Sequence, residues 1–225
     1  MGQGISDILT FAAGVAISPA AIIAVILMLL SARARVNGSL FLLGWVVALG
    51  ALSAVVYAIS DQSNAATSNT SSDSVSWLKI GLGVAFLLLA RREWRKRPAP
   101  GEEPEMPRWM RGIDAFTPLE ALGLGAFLGA ANPKNFILAI GAAAGLAQLG
   151  LSTVDAVVSL VVFVAVGSLT VAGPVFAYLL GGERAKSELA ELRGWLGRHN
   201  DAVMTALFVV LGVALIAKGL APLSK

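Results

Sequence analysis

Six apolar stretches, residues 5–31, 38–60, 75–90, 117–149, 153–180 and 202–220, constrain this chain more than any motif in it. A helix needs roughly 20 residues to cross about 30 Å of hydrocarbon. The pattern therefore predicts an all-α membrane protein of six transmembrane helices. The third stretch is the shortest, and Lys79 within it must snorkel to one interface. The fourth is too long for one upright crossing and is expected to tilt, bend or begin with an interfacial turn. Residues 1–6 carry no positive charge, so the first stretch reads as a retained span and not as a signal peptide. Composition agrees: 56% of the 225 residues are hydrophobic and 14% charged, against about a quarter charged in soluble domains.

Lysine and arginine set the orientation. Arg33 and Arg35 follow the first stretch; Arg91, Arg92, Arg95, Lys96, Arg97, Arg108 and Arg111 follow the third; Arg184, Lys186, Arg193 and Arg198 follow the fifth. Residues 61–74 and 150–152 hold neither lysine nor arginine. The basic loops are expected in the cytoplasm and both termini outside the plasma membrane. The basic residues lie between apolar runs, so they report topology and do not form a nucleic-acid surface.

Residues 91–116 join the halves: a basic run, then Pro98-Ala99-Pro100-Gly101, then Glu102, Glu103 and Glu105. Such a polar, proline-rich linker is not expected to pack. In residues 183–200, Ala185, Leu189, Leu192 and Leu196 recur at helical spacing beside Trp195, with charges opposite. This predicts an amphipathic helix on the cytoplasmic surface.

Several chemistries are excluded. The chain has no cysteine, which removes thiolate sites, and its one histidine leaves almost nothing for zinc chemistry. It has no Gly-x-x-x-x-Gly-Lys-Ser/Thr string for ATP and no catalytic triad or paired carboxylates in the spans. The expectation is a non-enzyme without cofactor or metal.

An internal repeat carries the functional reading. Ser18-Pro19 and Asn132-Pro133 both sit near mid-span after small residues, and Leu-Gly-Val-Ala recurs at 82–85 and 211–214. Three crossings per half force the second half to enter from the opposite side, giving two inverted-topology three-helix repeats, residues 1–90 and 117–225, a plan common in secondary transporters. Each proline removes a backbone donor and frees a carbonyl, which must face protein or a wet cavity. Lys134 follows Pro133, and an ammonium at mid-membrane costs at least about 2.5–3.5 kcal/mol, so it needs a partner or a task. Gly123, Ala126, Ala130, Gly141 and Gly145 are placed on its face by a 100° count, and Asn132 and Asn135 flank it. The expected substrate-binding set is Lys134, Asn132, Pro133, Asn135, Ser18 and Pro19, with the ammonium holding an anionic group. Small residues such as Gly125 and Gly129 are compatible with a homodimer.

These residues resemble the lysine-exporter (LysE) superfamily. Ile17-Ser18-Pro19 with residues 22–28, Asp114-Ala115-Phe116-Thr117-Pro118, Asn132-Pro133-Lys134-Asn135, and Leu192-Arg193-Gly194-Trp195-Leu196 with His199-Asn200 are similar to its actinobacterial Sap/GAP branch, nearly end to end. A second proline expected soon after Pro19 is replaced by Ala20 and Ala21. The resemblance implies a protein that sends large envelope lipids, glycopeptidolipids or sulfolipids, to the cell surface. Three readings follow from it: a lipid exporter or flippase, a small-solute exporter of amino acids or cations, and a non-transporting assembly factor for a larger lipid pump.

Overall fold

The computed structural model describes residues 2–66, 72–96, 112–113 and 115–223, and these are almost entirely helical. The described residues form the α-helices α1 (Gly2–Ala16), α2 (Pro19–Leu30), α3 (Ala34–Ala66), α4 (Ser72–Arg95), α5 (Pro118–Ala126), α6 (Pro133–Ala147), α7 (Thr153–Gly181) and α8 (Ala185–Leu223). A π-helical turn, Phe127–Ala131, lies between α5 and α6, and a 3-10 turn, Gly182–Arg184, between α7 and α8.

The helix boundaries follow from local chemistry. Pro19 has no N–H and opens α2, which leaves α1 at 47°. Thr117 and Glu120 form a reciprocal capping box in front of Pro118 and start α5. Ser152 caps α7 by accepting from the Asp155 amide at 3.2 Å. Gly182 adopts φ +56°, a conformation that favours glycine, and so separates α7 from α8.

Two helical runs, Ala34–Gln62 and Thr153–Ala221, are long and apolar enough to cross a membrane, and three if Ile8–Ala16 and Pro19–Leu30 form one bent span. Pro118–Ala131 and Pro133–Ala147 are apolar but shorter, because the fourth stretch is broken in its middle. Exposed apolar side chains line one stripe of each long helix: Val36, Leu43 and Val47 on α3, Val154, Val157 and Val161 on α7. Patches of this kind need an apolar surrounding, which agrees with membrane association.

Glycine sets how closely the helices approach. A methyl on Gly125 would run into the Phe41 carbonyl, and one on Gly129 would stand 2.9 Å from that of Trp45, so α5 and its π-turn run parallel to α3. Thr170 of α7 reaches Ala16 of α1, and Gly167 faces Val15, again in parallel. Helices α1 and α6 are antiparallel, with Gly141 on Phe11 and Gly14 on Leu138. Helices α4 and α8 are also antiparallel: Gly219 lies on Ser76, Gly83 on Gly212, and Phe86 stacks on Phe208 with ring centroids 5.6 Å apart. The two copies of Leu-Gly-Val-Ala thus meet glycine to glycine. Helix α2, apolar on all sides, is buried along almost its whole length.

Two expectations are modified. The segment 183–200 is helical from Ala185 onward, but no breaker separates it from the last apolar stretch, and α8 runs unbroken for 39 residues. Ala185, Leu189 and Leu196 are buried in the protein core, while Leu192 and Trp195 are exposed. The buried side of this helix is therefore covered by protein and not by lipid headgroups. In the linker, residues 97–111 and 114 lie outside the described residues, but its last part does pack. Ile113 is fully buried, and Asn37 Nδ2 donates to the Phe116 carbonyl at 2.9 Å.

Candidate functional site

The two helix breaks meet at the crossing of α1 and α6. Four carbonyls lose their regular helical partners at the first break. The amide that would serve Gly14, that of Ser18, turns to Ala16 at 2.9 Å. The donor for Val15 would be Pro19, which has none. The amide of Ala21, the regular donor for Ile17, goes to Ser18 at 3.0 Å. Such carbonyls must find other donors when buried.

Lys134 supplies them. Its Nζ donates to Gly14 O at 2.6 Å, Ile17 O at 2.8 Å and Val15 O at 3.4 Å. The fourth carbonyl, Ala16 O, also accepts from the hydroxyl of Thr170 on α7. An ammonium has three donors and no more, so Lys134 is saturated, and it is 5% exposed. The end of α1 carries roughly half a negative charge, which suits the cation reaching it from α6. Among the described residues no carboxylate pairs with Lys134.

The second break is held locally. Asn132 leaves helical geometry at ψ 122°, and its side chain caps α6 by accepting from the Lys134 amide at 3.0 Å. Its own amide donates five residues back to Phe127 O at 3.0 Å, closing the π-turn. Asn135, fully buried, donates from Nδ2 to Leu128 O at 2.8 Å. Asn135 Oδ1 and Trp45 Nε1, both buried, have no hydrogen-bond partner among the described residues. Trp45 lies against Gly129, beside this same turn.

Of the six predicted site residues, Lys134 reaches the backbone next to Ser18 and Pro19, uniting the two breaks. Ser18 is buried, but its side chain makes no cap bond. Pro133 is exposed, Asn132 caps its own helix α6, and Asn135 reaches back across the break to Leu128 O of the π-turn. The face predicted around Lys134 is only partly realised: Gly141 meets α1, whereas a side chain on Gly123 or Gly145 would meet nothing within 4 Å. The π-turn, which lies between Gly123 and Lys134, inserts an extra residue and shifts the register of that count, whereas Gly145 shares α6 with Lys134 and simply has no neighbour packed on it among the described residues. Thr170 was not singled out from sequence; a hydroxyl at mid-helix was its only signal.

A model of the Sap, sulfolipid-1-addressing protein, family (SfLAP) matches residues 8–221. The chain belongs to this family. The SfLAP match spans both breaks, Lys134 and Thr170. No curated protein and no solved structure matches the chain.

Proposed function

We propose that this SfLAP chain is a transporter of the LysE superfamily that exports or flips an anionic or glycosylated cell-envelope lipid toward the outer face of the plasma membrane. One observation carries the reading: two broken helices oppose their breaks in the protein interior, joined by Lys134 at 2.6 Å from Gly14 O and 2.8 Å from Ile17 O. Secondary transporters build substrate sites from such discontinuous helices.

The helix directions support an inverted repeat of six crossings, with residues 1–90 and 117–225 as its halves and 91–116 as the cytoplasmic connection. Alternating crossings with both termini outside make α3 parallel to α5, α1 parallel to α7, and α4 antiparallel to α8. The glycine contacts run in those senses. A lipid is favoured over a small solute by the family description, which names a sulfolipid. It is also favoured by the exposed Ile17 and Phe136, which put apolar surface next to both breaks. Rocking the halves apart withdraws the ammonium from α1 and turns it to the anionic headgroup, with Asn132, Pro133, Asn135, Ser18 and Pro19 around it.

The test is reconstitution in liposomes carrying a fluorescent anionic lipid in the inner leaflet, with a quencher outside. Wild type is expected to accelerate quenching and Lys134→Met to abolish the gain. Quenching at the protein-free rate, with passage of a labelled amino acid or cation, would replace the lipid by a small solute. Movement of neither would leave the role of assembly factor for a larger lipid pump.

A further inference from the structure

We propose that the carbonyl cluster at the end of α1 is a monovalent-cation site, filled in this conformation by the protein's own Lys134 ammonium and open to a small free cation when that side chain withdraws. Gly14 O, Val15 O and Ile17 O converge on one point, at 2.6, 3.4 and 2.8 Å from Nζ. Their convergence is built into the backbone, because Pro19 and the turn at Ser18 remove the amides that would otherwise occupy them.

The donor set identifies the ligand class. It consists of neutral oxygens, the ligands of hard cations. It sits at the negative end of a half-helix, where discontinuous transporter helices hold sodium ions or protons. No carboxylate among the described residues joins it, so it balances one positive charge and not two. The hydroxyl of Thr170, on the adjacent Ala16 carbonyl, fixes the rim of the site from α7.

Separating α6 from α1 strips the carbonyls of Gly14, Val15 and Ile17 of their donor at once, the first two of them buried, and a buried acceptor left bare is costly. A sodium, potassium or alkylammonium ion entering behind Lys134 removes that cost. Opening of the break is thereby linked to the concentration of a small cation. This inference goes beyond the transport reading and holds whether or not a lipid is moved.

The experiment uses purified full-length Lys134→Ala, which removes the tethered cation and leaves room for a free one. Thermal unfolding is followed while sodium, potassium or methylammonium chloride replaces N-methylglucamine chloride at constant ionic strength. The expected result is a saturable rise of several degrees in Tm with at least one small cation, absent in wild type and in Lys134→Met, whose side chain fills the space. Equal responses in all three proteins, or none in Lys134→Ala, would overturn the site. If Lys134→Ala yields no folded protein in glucamine, the yield after solubilisation in each salt is compared instead, and equal yields in all salts overturn it too.

Discussion

Replacing Gly83 by alanine tests the glycine-to-glycine crossing between the two halves. An ideal Cβ at this position stands 2.7 Å from Gly212 O and 2.6 Å from Ile216 Cγ1. Ordinary contact begins near 3.4 Å, so α4 and α8 must separate by about 0.7 Å. Overpacking of this kind costs about 1–3 kcal/mol. Alanine in a helix also gains about 0.8–1.0 kcal/mol over glycine, and that gain has to be removed from the measurement. Gly81, two residues earlier on the same helix, provides the control, because a Cβ there meets nothing within 4 Å. The propensity gain is common to both variants. Gly83→Ala should therefore be less stable than Gly81→Ala by about 1–3 kcal/mol, roughly 5- to 150-fold in the unfolding constant. The assay is equilibrium unfolding in mixed micelles, read by tryptophan fluorescence, with wild type between the two. A Gly83→Ala protein as stable as Gly81→Ala would refute the glycine-to-glycine crossing and remove one support of the inverted repeat.

Three further outcomes are expected. Thr170→Val removes one donor between helices and should cost about 0.6–1.7 kcal/mol in the same unfolding assay, whereas Ser168→Ala, whose hydroxyl bonds Val164 O in its own helix, should cost almost nothing; equal effects would dismiss Thr170 as a cap of the break. Leu189→Glu with Leu196→Glu should sharply reduce the yield of folded protein, because both positions are buried and an unpaired carboxylate there costs several kcal/mol. Leu192→Glu, at a position 40% exposed, should be tolerated, and the reverse order would put this face on lipid. A single cysteine at Ser68 should react with an impermeant reagent on intact cells and one at Ser187 only after permeabilisation; reaction of both on intact cells would overturn the proposed orientation.

The breaks at Pro19 and Pro133 were legible because proline acts on the backbone next to it, whatever the tertiary setting. The need of Lys134 for a partner was legible too, since a charge at that depth is costly without one. Its actual partners were not, because backbone carbonyls have no residue identity, and Gly14, Val15 and Ile17 become acceptors only once the chain has turned at Ser18. Helical periodicity revealed Leu189 and Leu196 as one face but not what covers it: lipid and protein select the same side chains. Gly83 and Gly212 stood out as a repeated string, yet only the antiparallel packing of α4 on α8 shows that the copies touch each other. The π-turn at residues 127–131 escaped notice because nothing in Phe-Leu-Gly-Ala-Ala departs from an ordinary helix.

The contact between Lys134 and Gly14 joins residues 120 apart in the chain. During synthesis at about 5–20 residues per second, the end of α1 therefore leaves the ribosome roughly 6–24 s before its partner does. Through that interval the carbonyls of Gly14, Val15 and Ile17 stay without their Lys134 donor unless α1 and α2 remain near the interface or inside the insertion machinery. Helix α2, only 12 residues long, is too short to cross alone, which favours the same delay. The N-terminal half of the protein thus has to be held in waiting, and truncation before residue 134 leaves a nascent chain that the membrane-protein quality-control proteases have reason to recognise.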